Sequence, residues 1–152
     1  MRFCCLASGS EGNCTLIESS EEGETLRILV DCGLSFSLLK RKLLNHGMLP
    51  EEIHGVFITH EHSDQTSGIF EMRPFFWKNK KKIPVYGSRR TIRELNNKYT
   101  FCFKKKYGYT PIMKSNVIRN NFSIKKKNSK CLNKSFEVNH GMINATGYLI
   151  DK

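Results

Sequence analysis

The stretch that decides the fold is GVFITHEHSDQTSG, residues 55–68. Its first part, residues 55–59, is an apolar run that predicts a buried strand. His60 follows directly, so the polar residues HEHSD lie at the carboxyl end of that strand. Open α/β sheets place their binding and catalytic sites at this end of their strands. The stretch therefore predicts both a sheet and the position of a site on it.

His60 and His62 are two residues apart, and residues two apart in extended backbone point to the same side. Both imidazoles can therefore address one metal ion, and imidazole suits Zn²⁺, Mn²⁺ or Fe²⁺. Asp64 can hold an adjacent hard cation through its carboxylate oxygens. Histidine pairs alone are common on surfaces, but HxHxD between a buried strand and Gly68 is much more specific. The loop is predicted to bind metal.

Apolar runs and turn residues on either side of this stretch predict alternating strands and helices. Strands are predicted at residues 2–7, 14–18, 26–30, 55–59, 83–86, 136–139 and 147–150. Helices are predicted at residues 35–46, 88–96 and 66–77, the last broken by Pro74, and residues 99–134 stay unassigned. This order favours one layered α/β domain over residues 1–152.

Composition narrows the class of protein. Of 152 residues 39% are hydrophobic and 26% charged, and no run approaches the roughly 20 apolar residues of a membrane span. The apolar stretch at the amino terminus is too short for a signal peptide. The six cysteines form no CxxC motif and are predicted to be reduced, mostly buried thiols, with Cys32 inert. These features predict a cytoplasmic protein with no membrane partner.

Charge is divided unevenly along the chain. Residues 1–72 hold five Lys/Arg against eleven Asp/Glu, and residues 73–152 hold twenty against three, a net charge of +17. Lysines at 78, 80–82 and 104–106 are interleaved with aromatic residues at 75–77, 101, 103 and 107, and a third lysine cluster lies at 125–127. Lysines neutralise phosphates and exposed rings stack on bases, a pattern typical of single-strand binding. The alternatives are compositional drift of an asparagine-rich half and aromatic residues that belong to the core.

The segment THEHSDQTSG resembles the THxHxDHxxG motif of the metallo-β-lactamase superfamily. CLASGSEGN, ILVDCGLS, PEEIHGVFITHEHSDQTSG and IPVYGS then follow the order found in its YycJ/WalJ-like branch of phosphodiesterases and exonucleases. The resemblance covers nearly all of residues 1–95. It implies the N-terminal portion of an α/β domain of the αββα sandwich type. It also implies a metal-dependent hydrolase of phosphodiesters, with nucleic acid as a partner.

The resemblance also implies roles for particular residues. VNHG at 138–141, followed by GYLI at 147–150, resembles a third metal motif, so His60, His62 and His140 would hold one ion. Asp64 would be a catalytic residue and a ligand to a second ion, and Asp31 would brace the histidine loop. The alternative for Asp31 is a carboxylate in a strand-end turn, and for His140 an ordinary edge-strand histidine.

Two departures from the family pattern weaken the second metal site. Gln65 stands where the motif has a histidine, and the chain ends at residue 152, before the family's bridging aspartate and last histidine. One Zn²⁺ or Mn²⁺ is therefore predicted rather than two, and the incomplete site predicts either reduced activity or its loss. The second sheet layer and its helices are expected to be missing, which would leave an apolar sheet face open to another chain. The alternative function is a non-catalytic remnant or a nucleic-acid-binding protein acting through the basic half.

Overall fold

The computed structural model describes residues 1–106, 108–126 and 129–151, without the side chains of 125, 126 and 129–132. The strands of this part are β1 (Arg2–Ala7), β2 (Cys14–Glu21), β3 (Glu24–Val30), β4 (Gly55–Phe57), β5 (Ile83–Gly87), β6 (Met113–Val117), β7 (Asn121–Lys126), β8 (Ser129–His140) and β9 (Ile143–Asp151). The α-helices are α1 (Phe36–Asn45), α2 (Ser63–Thr66), α3 (Arg73–Asn79), α4 (Arg89–Lys98) and α5 (Thr100–Phe103). No helix in these ranges is long and apolar enough to cross a membrane.

The larger sheet follows chain order from β1 to β6. Strands β1 to β3 are antiparallel, and β3 to β6 are parallel, so the carboxyl ends of β3, β4 and β5 share one edge. Strand β4 is buried throughout, as its unbroken apolar sequence predicts for a central parallel strand. This shared edge is where the loops that follow Val30, Phe57 and Gly87 meet.

Helices α1 and α4 bury one face each against this sheet. Leu39 and Leu43 are the buried residues of α1, and α4 begins where the Ser88 hydroxyl accepts a hydrogen bond from the Thr91 amide at 3.1 Å. Both helices lie within two residues of their predicted ends. The predicted helix at 66–77 is divided by a 3-10 turn at Ile69–Met72, and Pro74 lies in the first turn of α3 rather than at a break within a helix. Its missing N–H costs nothing at that position, where a proline favours helix initiation.

The unassigned stretch contains the start of a second sheet. Strands β7, β8 and β9 form an antiparallel meander, so the expectation that the whole second layer is missing is wrong. The smaller sheet packs on the larger one through Phe57, whose ring lies 5.4 Å from that of Phe122 and 4.9 Å from that of Tyr148. Helices cover the opposite face of the larger sheet, so the described layers are helix, sheet and sheet. This is the N-terminal part of the predicted αββα sandwich.

The outer face of the smaller sheet is apolar and open. Phe136, Val138 and Leu149 are all exposed there, and the Phe136 ring lies over Gly147. Three exposed apolar side chains therefore lie on the smaller sheet, whereas the sequence predicted an open face where that sheet was expected to be missing. Association with another chain through this face stays a prediction.

Tyr148 joins the two sheets, and its replacement by phenylalanine is expected to destabilise the fold. Its hydroxyl donates to the Ile58 carbonyl at 2.7 Å, and burial raises its pKa, so the hydroxyl stays protonated. Tyr148→Phe leaves that carbonyl without this donor and should cost about 1 to 3 kcal/mol of unfolding free energy in urea. Tyr109→Phe, at an exposed ring, is the matched control and should cost nothing measurable. Equal stability of the two variants would contradict this role for Tyr148.

Candidate metal centre

Three histidines from separate segments converge at the shared edge of the sheets. His60 follows β4, His62 precedes α2, and His140 is the last residue of β8. One ring nitrogen from each lies within 4.8 Å of the others, and in the described part of the chain no other group of three His, Cys, Asp or Glu side chains converges in this way. The ring centroids of His60 lie 4.6 Å from His62 and 4.7 Å from His140. The hairpin of β8 and β9 thus brings His140 to the loop that the sequence singled out.

Asp31 and Thr59 fix the orientation of His60. Asp31 closes β3 with a positive φ of 62° and accepts hydrogen bonds from the Thr59 amide at 2.8 Å and the Thr59 hydroxyl at 2.9 Å. The Thr59 hydroxyl in turn lies 3.0 Å from His60 Nδ1. The other ring nitrogen, Nε2, is buried and has no hydrogen-bond partner among the described atoms. A buried polar atom without a partner is costly, and a metal ion would satisfy it.

Burial shifts the pKa values of His60 and Asp31 in opposite directions. Burial, followed by the nearby His62 and His140, lowers the pKa of His60 and favours the neutral imidazole that ligates metals. Burial also raises the pKa of Asp31 to about 7, against the opposing effect of its hydrogen bonds from Thr59. His60 therefore supplies a neutral nitrogen donor, and imidazole nitrogen is a donor that Zn²⁺ and Mn²⁺ accept.

Asp64 lies outside the histidine group and is held by two side-chain amides. Its Oδ2 accepts from Asn13 Nδ2 at 3.0 Å and from Gln65 Nε2 at 2.9 Å. The Gln65 side chain is buried, and its own carbonyl oxygen has no partner in the described part of the chain. The Gln65 amide therefore donates to the Asp64 carboxylate and does not join the histidine group.

Glycines let three loops approach one another beneath the site. A Cβ atom on Gly33 would lie 1.7 Å from the Asp64 carbonyl oxygen, and one on Gly68 would lie 2.0 Å from the Leu34 carbonyl oxygen. Backbone hydrogen bonds run from Asn13 to Asp64 at 2.7 Å and from Gly33 to Asn13 at 3.0 Å. The loop at residues 8–13 is therefore part of the site's framework.

An ion pair closes one side of the site. Glu61, between the first two histidines, accepts from Arg90 in the first turn of α4 at 2.9 Å.

Cys32 is buried and its pKa is raised to about 12, mainly by burial, which makes it inert as the sequence predicted. In the strand register Asp151 pairs with Leu132, at the other end of the β8–β9 hairpin from His140.

The lysine clusters are exposed where the structure describes them, at 80–82 and 104–106, whereas the side chains at 125–127 lie outside the described residues. The aromatic residues beside the lysines differ in exposure: Phe75 is buried in the core, and Trp77 is 57% exposed. Tyr107 also lies outside the described residues. The core interpretation is therefore right for Phe75 and wrong for Trp77.

Known proteins resemble this chain in sequence and fold. The family model described as "Beta-lactamase superfamily domain" matches residues 26–152. The exodeoxyribonuclease WalJ of Streptococcus pneumoniae is 32% identical over 96 residues, which are 63% of this chain and 32% of that protein. The exodeoxyribonuclease YycJ of Bacillus anthracis is 31% identical over 91 residues, 60% of this chain and 31% of that protein. The matched segment thus spans about a third of these curated relatives.

Two solved structures share the fold at low sequence identity. The metallo-beta-lactamase fold protein YhfI from Bacillus subtilis has a TM-score of 0.67 at 15% identity, covering 98% of this chain and 56% of that one. The short form of human tRNase Z has a TM-score of 0.64 at 16% identity, covering 99% of this chain and 64% of that one. The chain matches somewhat more than half of each of these structures.

Proposed function

Because the chain belongs to the beta-lactamase superfamily and has the metallo-beta-lactamase fold, we propose that it is a metal-dependent hydrolase of phosphodiesters, with nucleic acid as its substrate class. The convergence of His60, His62 and His140 carries the proposal. The names of the relatives, two exodeoxyribonucleases and a tRNase Z, support the choice of nucleic acid.

The donor set fits one divalent ion, Zn²⁺ or Mn²⁺, held by the three histidines. When bound, such an ion supplies Lewis acidity that activates water and stabilises negative charge on a phosphate. Thr59 orients His60 so that its buried Nε2 faces away from Asp31 and is left for the ion. Glu61 and Arg90 neutralise one another at the rim.

Asp64 is proposed as the catalytic carboxylate and as the ligand of a second ion, if one binds. Its two amide donors compete with any metal for Oδ2. One ion per chain is therefore the expected state, and Asp64 would accept a proton or orient a water molecule.

Asp31 is proposed to position His60 rather than to contact substrate. Asp31→Asn replaces an oxygen acceptor with an amide donor, which disturbs the hydrogen bonds to Thr59 that align the imidazole. We expect Zn²⁺ affinity to fall about 10- to 100-fold, as measured by competition with a chromogenic chelator. Thr59→Val should weaken binding in the same direction, because it removes the hydroxyl between the two groups. Unchanged Zn²⁺ affinity in both variants would show that Asp31 and Thr59 do not position His60 for metal binding.

The test of the proposal is metal content followed by hydrolysis. The purified chain is dialysed against metal-free buffer, reloaded with Zn²⁺ or Mn²⁺, and analysed for bound metal and for release of nucleotides from labelled DNA and RNA. About one ion per chain with metal-dependent hydrolysis supports the proposal. Stoichiometric metal with no hydrolysis of either nucleic acid would contradict the enzymatic part of it.

A second candidate is a nucleic-acid-binding protein without hydrolytic activity. The observation that favours it is the pair of amides on Asp64, together with the net charge of +17 over residues 73–152. The two candidates differ in one result: both bind nucleic acid, and hydrolysis occurs only in the first.

A further inference from the structure

A second feature, apart from the three histidines, is a groove that mixes aromatic rings with basic side chains. The groove encloses about 380 Å³ and is lined by Phe70, Arg73, Phe101, Lys106 and Tyr109. We refer to these five residues as the aromatic–basic groove. Its volume falls within the roughly 300–1,000 Å³ that is typical of ligand pockets.

Arg73 is held between two rings at the edge of this groove. Its guanidinium carbon lies 5.4 Å from the ring centroid of Tyr109 and 5.9 Å from that of Trp77. Cation–π contacts of this length fix the position of the charge while leaving its N–H donors available to an anion. Phe70 is 43% exposed, Tyr109 54% and Trp77 57%, so flat ring surface reaches solvent beside the charge.

We propose that the aromatic–basic groove, with Trp77 beside it, binds single-stranded nucleic acid. Nucleobases would stack on the exposed rings, and backbone phosphates would pair with Arg73 and Lys106. A duplex does not fit this arrangement, because its base faces are covered by neighbouring base pairs. The net charge of +17 over residues 73–152 adds long-range attraction for a polyanion.

The groove is connected to the metal centre through two residues. The Phe70 ring stacks on Tyr99 with centroids 6.3 Å apart, and the Tyr99 hydroxyl lies 3.4 Å from that of Thr66. The Thr66 hydroxyl donates to the His62 carbonyl at 2.8 Å. These contacts link the groove to the histidine loop through the buried residues Tyr99 and Thr66. That a strand bound in the groove also reaches the histidines rests on the proposed function, whereas binding in the groove does not.

Trp77 provides the direct test, since it is the single tryptophan of the chain. An oligothymidylate of about eight nucleotides is titrated into the protein in EDTA, where no metal-dependent cleavage occurs. We expect saturable quenching of tryptophan fluorescence. Tyr109→Ala should weaken binding roughly 5- to 150-fold, with Tyr109→Phe restoring it, and Arg73→Ala should lower the salt dependence by about one ion. Phe3→Ala and Arg41→Ala remove an exposed ring and an exposed arginine elsewhere and should change neither measurement.

Three results would overturn the inference. The first is the absence of quenching, and the second is quenching that substitution of Tyr109 and Arg73 leaves unchanged. The third is an affinity for polyglutamate equal to that for oligothymidylate, which would indicate an acidic peptide as the ligand. Inorganic polyphosphate should bind much more weakly, because it has charge without bases. His60→Ala separates this inference from the proposed function, because that variant should lose metal and still quench. Loss of quenching with intact metal binding and hydrolysis would reject the groove alone.

Discussion

Replacing His60 with alanine is expected to reduce bound Zn²⁺ or Mn²⁺ from near one ion per chain to near none. His60 is the buried member of the three histidines, 5% exposed, and its ring is the one held by Thr59 and Asp31. The two remaining histidines are exposed and would form a site of two mobile ligands. Elemental analysis after dialysis against metal-free buffer measures the loss.

Two further variants keep this result interpretable. His62→Ala removes an exposed ring, so it should lose metal without disturbing the core even if His60→Ala unfolds. His46→Ala is the matched control, because His46 lies at the carboxyl end of α1, away from the histidine group. Full metal content in both His60→Ala and His62→Ala would reject the metal centre, and loss of metal in His46→Ala would reject its specificity.

The first half of the fold could be predicted because its sequence is regular. Strand β4 is an unbroken apolar run, α1 has leucines at helical spacing, and α4 begins within one residue of its predicted start. Strands β6 and β7 gave no such signal, and only residues 136–139 of β8 were predicted. Strand β6, for example, buries Met113 and exposes Lys114 and Val117. Their pairing depends on contacts with distant strands, which no local period reveals.

The site was predictable only in part for the same reason. His60 and His62 are local to one loop, whereas His140 was placed with them only by the resemblance of residues 138–141 and 147–150 to a third metal motif. Asn13, which binds Asp64 from 51 residues away, and Arg90, which binds Glu61 from another helix, were not predicted as site residues. A hydrogen bond between distant segments leaves no pattern in a single sequence.

Gly33→Ala is expected to have the largest effect on stability. Its Cβ would lie 1.7 Å from the Asp64 carbonyl oxygen, 2.6 Å from the Asp64 carbonyl carbon and 2.7 Å from the Asn13 amide nitrogen. All three are backbone atoms, so no rotation of a side chain relieves the overlap. We expect a loss of about 3 kcal/mol or more of unfolding free energy.

The same substitution should reach the metal centre, because relief of the clash requires α2 to move away from the loop after β3. That movement breaks the hydrogen bond from the Asn13 amide to the Asp64 carbonyl and shifts the turn that follows His62. Metal affinity should therefore fall together with stability. Gly87→Ala is the matched control at the same sheet edge: its Cβ would meet the Thr91 methyl at 3.3 Å, and a side chain can give way there. If Gly33→Ala were as stable as Gly87→Ala in urea, the close packing of α2 on the β3 loop would be wrong, and with it the framework proposed for Asp64.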